Sequence, residues 1–207
     1  MKTSKSFAVI PAAGRSRRMG PTHKLLLQWN GSNVIRSVLG AWSRSRVDRI
    51  VIVTRHDDEI LHRHCRSIPR VELVVADEDP EDMKRSVLLA IGHLSHDSPK
   101  PEDRWMLAPA DLPTLTTSLI YVVIESSRDS SKITVPHFDR RPGHPISVPW
   151  RLADHVEQLG PDEGINRLLE HHATESINLP MDQYPQDIDT EEEYQRLLRE
   201  HGMGRPE

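Results

Sequence analysis

Long apolar runs are missing from this 207-residue sequence, and so is any excess of basic charge. No stretch approaches the ~20 apolar residues of a membrane-spanning helix, and the apolar part of "MKTSKSFAVIPAAG" is too short for a secretion signal. A cytoplasmic protein that meets no membrane is expected. With 27 lysines and arginines against 31 acids the formal charge is -4, whereas general nucleic-acid binders are usually more basic. The single cysteine, Cys65, excludes an internal disulfide and suits a reducing compartment. Internal repeats and long linkers are absent too, so the expectation is one domain over residues 1–207, with flexible ends at about 1–5 and 202–207.

What is present is an alternation of short β-branched runs with amphipathic stretches. "FAVIP" (7–11), "RIVIVT" (49–54), "VELVVA" (71–76), "WMLAPA" (105–110), "KITVP" (132–136) and "ESINLP" (175–180) read as strands, several apolar on both faces. Helical patterns lie between them: "NVIRSVLGAWS", "MKRSVLLAIGHL", "SLIYVVIESS", "RLADHVEQL", "GINRLLEHH" and a last one over 191–201. The last has a readable start, because Thr190 and Glu193 form a capping box. "HDSPKPEDR" (96–104) reads as a surface loop within the domain. The alternation predicts a three-layer α/β/α fold with a mostly parallel central sheet.

In parallel α/β sheets ligands bind beyond the carboxyl ends of strands, and the first strand ends at Pro11. Ala12, Ala13 and Gly14 offer no bulk there, so a ligand can lie on the backbone amides. Arg15, Arg17, Arg18 and Lys24 follow. Four cations beside a small-residue loop match a polyphosphate, though a turn carrying solvated arginines reads the same way on spacing alone. The "GxxxxGK[ST]" and "GxGxxG" phosphate loops are both absent. A second feature is "APADLPTL" (108–115), where an apolar strand delivers Asp111 at its end. That carboxylate is placed either to hold Mg²⁺ against phosphate oxygens or to sit at a helix N-terminus.

"PAAGRSRRMGPTHKLL" resembles the signature "LAAGxSxRMGxxKxLL" of the nucleotidyltransferases that share the fold of the molybdenum cofactor guanylyl- and cytidylyltransferases. Ala12, Ala13, Gly14, Ser16, Arg18, Met19, Gly20, Lys24, Leu25 and Leu26 match, while Pro11 replaces a leucine and Pro21-Thr22-His23 lengthens the spacer by one. "PADLPTL" resembles the family's "GDMPxL" turn, with Ala110 in place of glycine. "RPGHPISVPW" (141–150), "GPDEGINRLLEHH" (160–172) and "DIDTEEEY" (187–194) resemble, in order, three further segments of the cytidylyltransferase branch.

The resemblance implies a Rossmann-like nucleotidyltransferase that moves CMP from CTP to a phosphorylated acceptor, molybdopterin, and releases pyrophosphate. It implies that Ala12, Ala13, Gly14, Arg15, Ser16 and Ser86 help bind the nucleotide and that Arg18 and Lys24 hold the triphosphate. Asp111 and Asp189 would place Mg²⁺, and His144 would lie beside the acceptor, where imidazole hydrogen-bonds a phosphate or a ring. A molybdoenzyme receiving the finished cofactor is the implied partner. "AAG" rather than "AGG" resembles the form that takes CTP rather than GTP. "IPAAG" also resembles the methylerythritol phosphate cytidylyltransferases, whose "PKQ" context is absent, and a non-catalytic nucleotide- or cofactor-binding chaperone is the reading from another class.

One departure stands out. Where the family carries a segment resembling "GMSxSLxxG", this chain has "DPEDMKRSVLLAI" (79–91): Ser86 matches, but Met83, Lys84 and Arg85 replace small residues. Either base recognition changes, or two further cations serve the acceptor, or Lys84 and Arg85 are simply the wet face of a helix. "HDDEILHRHC" (56–65) invites a metal reading. His62 and His64 point about 200° apart on a helix and no second ligand pair follows, so a solvated helix is expected. At "EHH", His171 and His172 read as favourable positive charge at a helix C-terminus.

Overall fold

The computed structural model describes residues 4–15, 17–19 and 23–204, and of Arg17 the backbone only. Ser16 therefore lies outside the described residues, as do the outermost parts of the two ends expected to be flexible.

Among the described residues ten strands form: β1 Ser6–Pro11, β2 Gln28–Trp29, β3 Ser32–Asn33, β4 Arg49–Arg55, β5 Val71–Ala76, β6 Arg104–Leu107, β7 Ile133–Phe138, β8 Arg141–Pro142, β9 Ile146–Pro149 and β10 Thr174–Leu179. The helices are α1 Val34–Ser43, α2 Glu59–Arg66, α3 Met83–Ser95, α4 Thr117–Ser127, α5 Asp154–Glu157, α6 Arg167–His171 and α7 Glu191–Glu200. The main sheet runs β10-β7-β9-β6-β1-β4-β5, with β8 paired to β7, while β2 and β3 make a separate hairpin. β1 is parallel to β4 and β6, β4 to β5, and β10 to β7. β9 is antiparallel to both neighbours, which makes β7 parallel to β6. The carboxyl ends of β1, β4, β5, β6, β7 and β10 thus share one rim.

Alternation along the strands builds two cores. Ala8 and Ile10 of β1, Ile50 and Ile52 of β4 and Met106 of β6 pack with α1, α2, α4 and α7. Phe7 and Val9, Val51 and Val53, and Trp105 and Leu107 pack with α3, α5 and α6 on the opposite face. This is the three-layer, mostly parallel arrangement expected from strands apolar on both sides.

The differences have local causes. β6 stops at Leu107 rather than 110, because Pro109 has no N–H to continue the ladder. Ala108 and Ala110 still donate to the carbonyls of Val9 and Pro11, so the chain leaves the sheet along β1. β9 escapes the sequence reading because only four residues form it, with prolines at 145 and 149. "RLADHVEQL" and "GINRLLEHH" yield helices of only four and five residues. The loop at 96–104 ends in buried residues: Asp103 is 4% exposed and accepts from the backbone N–H groups of Lys5 and Lys100, and Arg104 already belongs to β6. α2 is not simply solvated. Leu61, His62 and Cys65 are buried, His62 meets the Arg55 carbonyl at 2.8 Å through Nε2, and burial first of all pushes the Cys65 thiol up to about 12. His172 likewise departs from its expected charged role, since burial and then His155, whose Nδ1 lies 3.0 Å away, push its pKa down.

Candidate active site

Beyond the rim end of β1 the Ala12 N–H still donates to Val53 at 2.8 Å, and from Ala13 the chain departs from the sheet. There it lines a cleft of about 560 Å³, a size typical of small-molecule sites. Ala12, Ala13, Gly14 and Arg15 form one wall, Asp79 to Met83 and Ser86 another, and Lys24, Leu25 and Pro109 to Asp111 close the inner end. A Cβ built on Gly14 would meet nothing within 4 Å, so the room beside this backbone is left for something other than the chain itself.

The loop is held from behind by a residue the sequence reading passed over. Arg55 closes β4, is 8% exposed, and donates through Nη1 to the carbonyls of Gly14 at 3.0 Å and Ala13 at 3.4 Å. It also reaches Asp57 at 2.9 Å and Asp58 at 3.3 Å. The available signal was an arginine ending an otherwise apolar buried strand, "RIVIVTR".

At the inner end two carboxylates converge on one ammonium. Lys24 Nζ contacts Asp111 and lies 3.1 Å from Asp189, and Arg18 reaches Asp189 at 2.9 Å. Burial pulls the Lys24 pKa down, but Asp111 and then Asp189 outweigh it and the net shift is upward. Local folding explains the placement. The Asp111 carbonyl accepts from Ile188 N–H at 3.1 Å, which lays the 187–190 segment against the turn after β6. Glu193 Oε2 then accepts from the N–H groups of both Asp189 and Thr190 at 2.9 Å, so the capping box of α7 fixes Asp189. Asp187 is close by; burial, and then the charges of Asp111, Asp189 and Glu193, raise its pKa.

The remaining predicted residues fall as follows. Ser86 is 2% exposed in the first turns of α3, and Asp79, Met83 and Ser86 share the outer wall. Arg15 also faces the cleft but is paired with Asp79 and, at 3.2 Å, with Asp57. Lys84 and Arg85 do not serve this cleft. Lys84 Nζ donates to the Gly160 carbonyl, and both residues border an adjoining groove of about 540 Å³. His144, half-buried before a cis peptide bond to Pro145, uses Nδ1 to donate to the Leu107 carbonyl at 3.1 Å. Burial lowers its pKa against the opposing pull of that carbonyl, Asp111 and Asp187, so its neutral form is favoured with Nε2 as a hydrogen-bond acceptor.

Among the described residues no group of three or more His, Cys, Asp or Glu is arranged to hold a metal. Mg²⁺, however, is usually bound by one or two carboxylates together with waters and substrate phosphates, and Asp111 and Asp189 already share a single cation here. Charge supports the fit. Among the described side chains, Arg18 and Lys24 are balanced by Asp111 and Asp189, and Arg15 by Asp57 and Asp79, which leaves a polyphosphate's charge to be met in part by a bound cation.

Comparison with known proteins identifies the family of the chain. A 2-C-methyl-D-erythritol 4-phosphate cytidylyltransferase of Streptomyces avermitilis is 30% identical over 166 residues, 76% of this chain; the match spans 59% of that relative. The crystal structure of Rv0371c from Mycobacterium tuberculosis H37Rv superposes with a TM-score of 0.81 at 22% identity, covering 95% of this chain and 99% of the other, and that protein was also solved with manganese. A homologue of Rv0371c from Mycobacterium sp. strain JC1 is 26% identical with a TM-score of 0.78, covering 94% and 96%. No helix among the described residues is long and apolar enough to cross a membrane. The family model described as "MobA-like NTP transferase domain" matches residues 8–176, a span that takes in the cleft loop, Arg55, Ser86, Asp111 and His144, and the chain belongs to that family.

Proposed function

We propose that the protein is a Mg²⁺-dependent cytidylyltransferase that joins CMP from CTP to the phosphate of molybdopterin and releases pyrophosphate. The observation that carries this reading is the convergence of Asp111 and Asp189 on the Lys24 ammonium in the cleft lined by the small-residue loop Ala12 to Gly14. In the reaction an oxygen of the acceptor phosphate attacks the α-phosphorus of CTP in line as the bond to the β-phosphate oxygen breaks. No covalent enzyme intermediate is needed, so catalysis is positioning and charge stabilisation. Arg18 and Lys24 hold the triphosphate and neutralise the departing pyrophosphate. Ala12, Ala13, Gly14, Arg15 and Ser86, which line the cleft, bind the nucleotide in this reading, and Ser16 is assigned the same role from the sequence resemblance alone. Asp111 and Asp189 would hold Mg²⁺, whose charge, when bound, offsets that of the α-phosphate and the leaving group.

The acceptor is approached through His144. With Nδ1 committed to Leu107, its neutral Nε2 accepts a hydrogen bond, which suits a ring N–H or amine of a pterin better than an ionised phosphate. A second reading keeps CTP and changes the acceptor to methylerythritol phosphate; the identity to the Streptomyces enzyme favours it. Competition separates the two. Incubated with both acceptors in equal amounts, CTP and Mg²⁺, the protein should form the molybdopterin dinucleotide, and a cytidine diphosphate polyol as the main product decides for the second reading.

A further inference from the structure

The spacer between Met19 and Lys24 is one residue longer than the pattern this chain resembles, and the added length ends at His23. His23 Nε2 lies 2.6 Å from Asp58 Oδ2, the same carboxylate oxygen that Arg55 Nη2 reaches at 3.3 Å. Asp58 is 6% exposed and also caps α2 by accepting from the Leu61 N–H at 3.3 Å through Oδ1. Its two oxygens therefore tie three things together: the start of α2, the arginine behind Ala13 and Gly14, and the residue just before Lys24. Both ends of the cationic loop are anchored at one buried carboxylate.

The consequence lies in the peptide planes. In a planar trans peptide the carbonyl and the following N–H point in opposite directions. Arg55 draws the Ala13 and Gly14 carbonyls back towards itself, so the N–H groups of Gly14 and Arg15 face away from it, on the side where these residues line the cleft. Neither N–H has an acceptor among the described residues, and two neighbouring amides turned the same way make an anion-binding concavity. At the other end, a fixed His23 fixes where the Lys24 backbone begins and so helps aim its ammonium between Asp111 and Asp189.

We propose that Arg55, Asp58 and His23 form a clamp that turns the Gly14 and Arg15 amides towards the nucleotide phosphates, with Arg55 as a positioning residue for the triphosphate. The inference rests on the reading of the cleft as a nucleotide site, and it assigns to this chain's own longer spacer a compensating contact.

The test compares wild type, Arg55→Met and Asp58→Asn. The second variant guards against misfolding of the first, since asparagine still caps a helix while weakening the bonds to Arg55 and His23. Affinities are measured for tripolyphosphate, CTP with Mg²⁺, and cytidine, alongside the amide NMR resonances of Gly14 and Arg15. The clamp predicts a tenfold or greater loss for tripolyphosphate and CTP in both variants, unchanged cytidine binding, and displaced resonances for those two amides. Equal tripolyphosphate affinity in wild type and variants overturns it. So does an equal loss for cytidine, which a general weakening of the fold would produce. Wild type that binds tripolyphosphate but no nucleotide contradicts the proposed function and leaves the clamp standing; wild type that binds neither overturns both.

Discussion

Asp111→Asn should lower the rate of nucleotidyl transfer by on the order of 10²–10³-fold, the usual cost of removing one well-placed electrostatic group from a transition state. The loss should appear without unfolding. Asp111 holds the neighbouring segment through its main-chain carbonyl, which accepts from Ile188, and among the described residues its side chain hydrogen-bonds the Lys24 ammonium alone. Asparagine keeps the shape and removes the charge. Lys24 then has Asp189 alone as a carboxylate partner, and a metal shared by the two acids loses one of them. Pyrophosphate release and the thermal midpoint, measured together, check this. Activity within a fewfold of wild type at an unchanged midpoint would remove Asp111 from the reaction.

Arg104→Met should do the reverse, costing stability while leaving the site's chemistry in place. Arg104 stands at the opposite end of β6 and is 1% exposed. Its guanidinium donates to the carbonyls of Ser130, Lys132 and Ser147 and to the Ser147 hydroxyl, all within 2.8 Å. Among the described residues no carboxylate forms an ion pair with it. Burial, the largest cause, pushes its pKa down to about 10, still high enough to keep it charged near neutrality. These bonds join β6, β9 and the turn before β7, where the antiparallel strand β9 separates the parallel strands β6 and β7. Methionine matches much of the volume but leaves three carbonyls unpaired, a loss of about 3 kcal/mol or more. For a domain of this size that corresponds to a fall of roughly 6–12 °C in Tm. A midpoint within a degree or two of wild type would show that water or other donors replace the guanidinium, whereas nucleotide binding by the fraction still folded should be preserved.

β6 therefore has a charge at its start and another in the turn that follows it, and only the second was legible. Asp111 stands out in the sequence because an acid after an apolar run before a proline is conspicuous. Arg104 sits at the end of a polar, proline-rich loop and looks solvated, and nothing local announces that β9 will cover it. Arg55 is similar: its role depends on the loop after β1 folding back over the end of β4, a tertiary event that strand periodicity does not encode. His62 was misread for the same reason, since a helix rich in charge still buries the one face that meets the sheet.

Other features were readable because their causes are local. The five strands of six or seven residues announce themselves through β-branched runs, and the Thr190–Glu193 capping box appears as written, with the added consequence that it holds Asp189 in place. The small-residue loop was legible as the lining of a cleft, but the pairing of every described cation on it was not. Ion pairs such as Arg15 with Asp79 and Arg18 with Asp189 join positions 64 and 171 residues apart. Among the described side chains, that balance changes the physical picture from an open basic cradle to cations already paired with carboxylates, Arg15, Arg18 and Lys24 each meeting at least one acid.

The measurement that bears most directly on the central claim is pyrophosphate release from CTP, GTP, ATP and UTP with Mg²⁺, with and without molybdopterin, using wild-type protein and Asp111→Asn as the blank. The proposed function predicts release that requires both CTP and acceptor and that disappears with the metal and with the substitution. Nucleotide binding without any release, identical in the two proteins, would contradict it and leave a binding module in place of an enzyme.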